Sequence, residues 1–252
     1  ITHQSMTTIG ATDTRSIKLD KFSISDYKLD FGLQYTYKLN KKNTINIGAV
    51  YTLGRTLHGD AYKYHQTGAE SNGSIYVQSQ TGDTIPNPFK MPHTFGIGLT
   101  YVYDNRLTIG VDYTLQKWNT ADLAWSKFNK ESVEMNSRTK IAFGAEFVPS
   151  YISHNYLKRI RYRMGAYCSS PYNKVSYTSP DTGTTSFQDG AREYGVSIGF
   201  GLPMFQSKSM LNISGQYIKV SPKFKGLMEE NYLRINIGLT FNERWFMKWK
   251  VD

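Results

Sequence analysis

A single cysteine, Cys168, stands in 252 residues, so no internal disulfide can staple the chain. No stretch approaches the ~18 consecutive apolar residues of a transmembrane helix, and the mean hydropathy is −0.48. Ile1 opens neither on an initiator Met nor on a charged segment with an apolar run behind it. No signal peptide is read there, and the sequence is expected to be a mature form or a fragment. Acidic residues are outnumbered by basic ones, 20 to 30, for a net charge of +10. Such an excess could suit nucleic acid, but the cations are scattered and form no binding module, so none is expected. Many, such as Lys41, Lys42, Arg106, Lys158 and Lys250, fall in short connections or the tail, where anionic lipid headgroups explain them better.

Catalytic signatures are equally scarce. No Ser, His and carboxylate constellation stands out at a strand end. Asp181-Thr182-Gly183 matches an aspartic-protease tripeptide but sits in a Ser-Pro-Asp-Thr-Gly-Thr turn composition. His58 and His65 flank Asp60 without a metal-site spacing. Gly195 to Gly201 is glycine-rich but lies inside an alternating run, with no helix N-terminus behind it to cradle a phosphate. Asn72-Gly73-Ser74 is a glycosylation sequon of little weight in a bacterial protein. The chain is expected to be no enzyme and to carry no cofactor or metal.

What the chain does have is alternation. Leu29, Phe31, Leu33, Tyr35, Tyr37 and Leu39 are separated by Asp30, Gly32, Gln34, Thr36 and Lys38. Successive side chains of a strand point to opposite faces, so one face is apolar and the other wet. The same pattern recurs at Ile45–Leu53, Phe95–Tyr103, Leu107–Leu115, Ile141–Phe147, Ile160–Cys168, Tyr194–Leu202, Leu211–Tyr217 and Leu233–Phe241. A soluble sandwich also alternates. These runs, however, are longer than ordinary strands and approach the roughly 9–11 residues that cross a bilayer at a tilt. Their polar phase carries charges among glycines, and the 19 tyrosines gather towards strand ends, as an interfacial belt would. The expected fold is an all-β, transmembrane antiparallel β-barrel with about nine strands in this chain, in a single domain over residues 1–252. Cys168 falls in the outward phase, as a small hydrophobe.

Connections alternate in length. Asn40 to Asn43, Asp104-Asn105 and Pro203 to Lys208 are short; Arg55 to Pro92, Trp118 to Arg138 and Ser169 to Arg192 are long polar excursions. Outer-membrane barrels keep turns short on the periplasmic side and loops long outside. Leu29–Leu39 then descends towards the periplasm, and Leu233–Phe241 leaves the C-terminus periplasmic. Tyr35, Tyr37, Tyr101, Tyr103, Phe147 and Phe241 form one aromatic belt; Tyr51, Phe95, Tyr113, Tyr194, Tyr217 and Tyr232 form the other. Nine strands would leave an unpaired edge, so an odd number is expected upstream.

The lumen-lining candidates are Asp30, Gln34, Asp112, Lys140, Glu146, Arg161, Arg163, Glu193 and Arg234. If neighbours pair in order, Glu146 meets Arg161 or Arg163, and Asp112 meets Lys140. The set reads either as a structural network or as a polar lining that orients a headgroup. The recurrent inward glycines leave room for something close to the wall, or for a strongly bent sheet.

Phe31-Gly32-Leu33-Gln34-Tyr35, the segment from Lys90-Met91-Pro92 to Leu99, and the ending from Tyr232 through Asn242-Glu243-Arg244-Trp245-Phe246 resemble FadL-like outer-membrane proteins of the Bacteroidota. The resemblance implies the C-terminal part of a fourteen-stranded barrel whose N-terminal strands and hatch are missing. It also implies passive uptake of small hydrophobic compounds. The alternative is a non-transporting barrel subunit of a larger outer-membrane assembly or secretion complex. Expected partners are outer-membrane lipids and lipopolysaccharide, a hydrophobic small molecule, and other outer-membrane proteins or lipoproteins.

Overall fold

The computed structural model describes residues 2–11, 14–71, 74–120, 134–178, 185–204, 209–222 and 228–241. The tripeptide Asp181-Thr182-Gly183, the Asn72-Gly73 pair, most of the Trp118 to Arg138 excursion and everything after Phe241 lie outside the described residues.

In chain order the strands are β1 (Thr2–Ala11), β2 (Thr14–Ile24), β3 (Asp30–Lys38), β4 (Asn43–Thr52), β5 (Gly59–Ser71), β6 (Ser74–Pro86), β7 (Thr94–Tyr103) and β8 (Leu107–Gln116). They continue as β9 (Arg138–Phe147), β10 (Arg161–Ser169), β11 (Lys174–Thr178), β12 (Thr185–Asp189), β13 (Ala191–Pro203), β14 (Met210–Pro222) and β15 (Glu230–Thr240). A short helix, α1 (Tyr156–Arg159), precedes β10; Asn155 caps it by accepting from the Leu157 N–H.

Nine of these strands make one antiparallel sheet in meander order, β3-β4-β7-β8-β9-β10-β13-β14-β15. Its tight turns follow from local chemistry. The Asn40 side chain accepts from the Lys42 and Asn43 N–H groups, both at 2.9 Å, and so closes the β3–β4 turn. Between β7 and β8, Asp104 and Asn105 both take positive φ, 50° and 52°. That is a primed turn, closed by the Arg106 N–H on Tyr103 O at 2.8 Å, which Asp and Asn tolerate; Arg106 is left over as an extra residue, because Tyr103 pairs with Leu107.

The sheet is inverted relative to a water-soluble one. Along β10 the odd-numbered Arg161, Arg163, Gly165 and Tyr167 are half-buried, while Tyr162, Met164, Ala166 and Cys168 are exposed. Leu33 is 75% exposed, Ile198 63% and Ile237 72%. The sheltered side is polar and the open side is aliphatic and aromatic. A soluble monomer rarely leaves so continuous an apolar surface in water.

The described residues form an open sheet and no closed barrel: β3 and β15 each have one hydrogen-bonded neighbour and are exposed along their length, the unpaired edges that a nine-strand count implies. In a nine-strand meander the first and last strands run the same way, so closing them would need a parallel pair in an antiparallel ladder. Two expectations are corrected. The Arg55 to Pro92 and Ser169 to Arg192 excursions are not plain loops, since they hold the hairpins β5–β6 and β11–β12. Their apolar alternation is short, Tyr62 and Tyr64 in β5, Ile75 and Val77 in β6, Val175 and Tyr177 in β11, so the long apolar rows that marked the other nine strands were missing. Tyr232 does not join the outward belt, because it lies opposite Ile218 on the polar side, one residue out of phase with Leu233.

The hairpin β5–β6 pairs through β5 with β2, giving a second sheet in the order β1-β2-β5-β6. This extension grows out of the large sheet rather than standing apart. The Leu53 N–H donates to Leu29 O at 3.0 Å, Arg55 exchanges backbone bonds with Met91 at 3.1 and 2.8 Å, and the Ser25 N–H reaches His58 O at 3.2 Å. Gly54 permits the crossing, since a Cβ there would lie 2.4 Å from the His93 backbone nitrogen.

Asp26 sits at this junction, outside the nine-stranded sheet. It accepts from the His58 N–H at 2.9 Å and from the Tyr27 N–H at 2.8 Å, and it pairs with Arg55 at 3.3 Å. The His58 amide chiefly, then the Tyr27 amide, the His58 ring and Arg55, hold its carboxyl down to about 2. A carboxyl whose pKa is lower folded than unfolded stabilises at any pH above its ordinary value near 3.8, and stops doing so as the pH falls through about 2. The His58 amide should therefore stay protected from hydrogen exchange from pH 7 to about 4 and lose protection below, whereas Asp26→Asn should lose it at pH 7. Equal protection in both proteins would show that the carboxylate does not hold the junction.

Candidate functional site

All nine lumen-lining candidates fall on the polar face, because the ladder registers are in phase; Lys140, Glu146, Arg161, Arg163 and Glu193 are half-buried there, and Asp30, Gln34, Asp112 and Arg234 are exposed. One row runs straight across the sheet through directly paired residues: Thr36, Asn46, Thr100, Gly110, Gly144, Gly165, Ser197, Gln216 and Arg234. It divides two charged clusters, one towards each end of the strands.

Towards the short turns, Glu146 on β9 lies opposite Arg163 on β10. Its carboxylate accepts from Arg163 Nε at 2.7 Å and from Arg161 Nη1 at 3.1 Å. Arg163 Nη1 also donates to Asn212 Oδ1 at 2.8 Å, and Asn212 Nδ2 donates to Thr240 Oγ1 at 3.3 Å. Four strands are thereby tied by one network, and Glu146 takes both arginines rather than one.

Towards the long connections, Arg138 Nε donates to Ser169 Oγ at 2.8 Å and its Nη2 lies 3.8 Å from Glu193. Glu193 accepts the Tyr167 hydroxyl proton. Lys140 stacks its ammonium 4.4 Å from the centre of the Tyr167 ring. The ring lies over Gly195 on the neighbouring strand, where a Cβ would come within 2.0 Å of Tyr167 Cε1. The expected Asp112–Lys140 pair is thus corrected. Register sets Asp112 opposite Ala142 and Lys140 opposite Thr114, and Lys140 turns to the aromatic ring on its other side.

The remaining candidates are dispersed. Asp30, at the start of β3, accepts from Thr52 Oγ1 and pairs with Lys28 at 3.0 Å. Gln34 and Asp112 border a trough of about 490 Å3 floored by Gly48 and Gly98, with Asn46 and Thr100 on its sides. Asp112 Oδ1 would be 2.4 Å from a Cβ at Gly98, so the carboxylate lies flat over that glycine. Arg234 ends the central row on β15.

Tyr167, Asn212 and Arg138 belong to these clusters but were not among the candidates. Tyr167 had a readable signal, an aromatic in the polar phase of its strand with glycine opposite. Asn212 and Arg138 had none beyond being polar in phase. No group of three His, Cys, Asp or Glu side chains able to hold a metal occurs among the described residues. The arrangement ties strands together and leaves a smooth polar trough; it assembles no nucleophile with a base.

A nine-stranded meander with a charged, sheltered side and an aliphatic and aromatic open side defines an all-β protein with a polar interior and an apolar exterior. The chain belongs to the BamG family, whose model matches residues 1–252. That family is associated with Bam, the outer-membrane assembly complex, and points to the bacterial outer membrane or its assembly machinery. Neither the curated proteins nor the solved structures give a match. The family overturns the FadL-like reading, and with it the fourteen-strand count and the hydrophobic uptake drawn from it. The motifs behind that reading were the proline before the strand at Met91-Pro92, strand alternation that many outward-apolar strands share, and the Asn242-Glu243-Arg244-Trp245-Phe246 run, which lies outside the described residues.

Removing one charge tests the lower cluster. Glu146→Gln leaves Arg161 and Arg163 facing each other without a counter-ion, and these side chains are only partly exposed. The variant should lose about 1 kcal/mol of unfolding free energy in detergent. Arg163→Gln alone should lose less, because Glu146 keeps Arg161.

Proposed function

We infer that this chain is a non-enzymatic, membrane-embedded subunit of the outer-membrane assembly complex, with its nine-stranded sheet forming barrel wall in the bilayer. The full-length BamG match carries the assembly role. The exposed apolar face supports the membrane placement. The large-sheet strands are 9 to 13 residues long, enough for a tilted crossing. Lipid is the solvent that makes an outward Leu33, Ile198 and Ile237 favourable rather than costly. On this reading Glu146, Arg163 and Glu193 brace the interior. The short turns face the periplasm, with the C-terminus on that side, and the β1-β2-β5-β6 extension reaches outward where other subunits can grip it.

Two experiments test this. Affinity purification of the tagged protein in mild detergent should bring down outer-membrane assembly proteins in stoichiometric amounts, and its depletion should lower the content of folded barrels in the outer membrane. Purification alone, with unchanged barrel content, would sink the assembly role. For the membrane placement, Ile198→Arg should cost about 2–4 kcal/mol in lipid vesicles, with Ser197→Arg clearly milder. Equal penalties at the two positions would place the wrong face in lipid.

A further inference from the structure

Two adjacent outward rows cross β3, β4, β7 and β8 near the long-connection end. One pairs Phe31, Tyr51, Phe95 and Leu115; the next pairs Leu33, Ala49, Ile97 and Tyr113. Ala49 is the one small side chain among these eight. Large neighbours on every side leave a groove of about 510 Å3 over it. Its walls are aromatic and fixed against each other: the Tyr51 ring lies 5.0 Å from that of Phe95 and 6.3 Å from that of Phe31. A groove of this size with apolar walls suits a flexible hydrocarbon chain.

The upper rim of the groove is polar and of one sign. Lys117 holds its ammonium 5.5 Å from the centre of the Phe95 ring, and no carboxylate pairs with it among the described residues. Its backbone N–H donates to His93 O at 2.9 Å, which sets the two residues side by side. The His93 ring stacks on Tyr51 at 6.0 Å. Its Nδ1 receives the Gly54 N–H at 3.2 Å and lies 2.8 Å from the Tyr51 hydroxyl. A ring nitrogen that accepts a backbone N–H carries no proton, so the imidazole proton is on Nε2, a donor with no partner among the described residues. A cation and a free N–H donor thus stand together above an acyl-sized slot.

We propose that the Ala49 groove with Lys117 and His93 is a binding site for an acylated glycolipid bearing phosphate, seated with one acyl chain in the groove and a phosphate on the two donors. The site rests on the membrane reading above. Because it lies at the long-connection end, the outer leaflet supplies its ligand, and charge complementarity separates that ligand from a zwitterionic phospholipid.

The test is native mass spectrometry of the full chain in detergent, titrated with purified lipid A and, separately, with phosphatidylethanolamine. The wild-type protein should retain one lipid A, and retain phosphatidylethanolamine much less. Lys117→Gln should weaken lipid A retention about tenfold, the size of one lost charged hydrogen bond. Ala49→Phe should abolish it by filling the groove on a face where added bulk meets only lipid. Equal retention by wild type and both variants, or no preference for lipid A, would overturn the site. If that happens while Ile198→Arg still costs more than Ser197→Arg, the membrane placement stands without the site; if the asymmetry is also missing, both fall.

Discussion

Register is the constraint on which the rest of this molecule depends. Side chains alternate with a period of two, so a slip of one residue between any two neighbours would carry a whole strand's apolar set to the other face. The eight ladders of the large sheet hold one phase from β3 to β15. That common phase produces an uninterrupted row from Thr36 to Arg234 and places Glu146 opposite Arg163. It also gathers Phe31, Tyr51 and Phe95 into one outward strip. Turn chemistry at Asn40 and at Asp104-Asn105 pins the phase locally, where a two-residue choice fixes the pairing of ten.

The nine long strands were legible because their alternation pairs large apolar residues with polar ones, a contrast that survives in the sequence alone. The hairpins β5–β6 and β11–β12 were not. Their ladders rest on backbone hydrogen bonds between mostly polar residues, with apolar alternation too short to stand out, and composition then reads as loop. The open edges were legible from parity, since the first and last strands of a nine-strand meander run the same way and cannot close an antiparallel ladder. The family was missed because short alternating motifs report the environment of a strand, which many unrelated barrels share.

Side-chain partners divided along the same line. Glu146 and Arg163 are directly opposed on sequential strands, and Glu146 reaches Arg161 as well, so either of the two expected arginines satisfies the reading. Asp112 and Lys140 needed the register itself, and an offset of one pair was enough to send Lys140 to the Tyr167 ring. Contacts that cross connections, such as Asp26 with Arg55 and His58, or His93 with Tyr51 and Gly54, join residues 29 to 42 positions apart and leave no local pattern to read.

The two sheets differ in how they place their apolar residues. In the large sheet the outward rows are mostly aliphatic and aromatic, and on the inward side Glu146 and Glu193 meet arginines from other strands. The extension carries fewer apolar residues, among them Ile17, Leu19, Phe22 and Ile24 in β2, and sustains no long apolar row. Asp26, Arg55 and Gly54 stand where the two sheets join. The junction sets a small apolar core, with Ala61 and Ile85 buried and Phe22 edge-on to Phe89, beside a carboxylate fixed by two backbone amides and a guanidinium. The extension is thus continuous with the large sheet through backbone hydrogen bonds at Leu53, Arg55 and Ser25, so the junction fixes where its hairpins stand relative to β3 and β4.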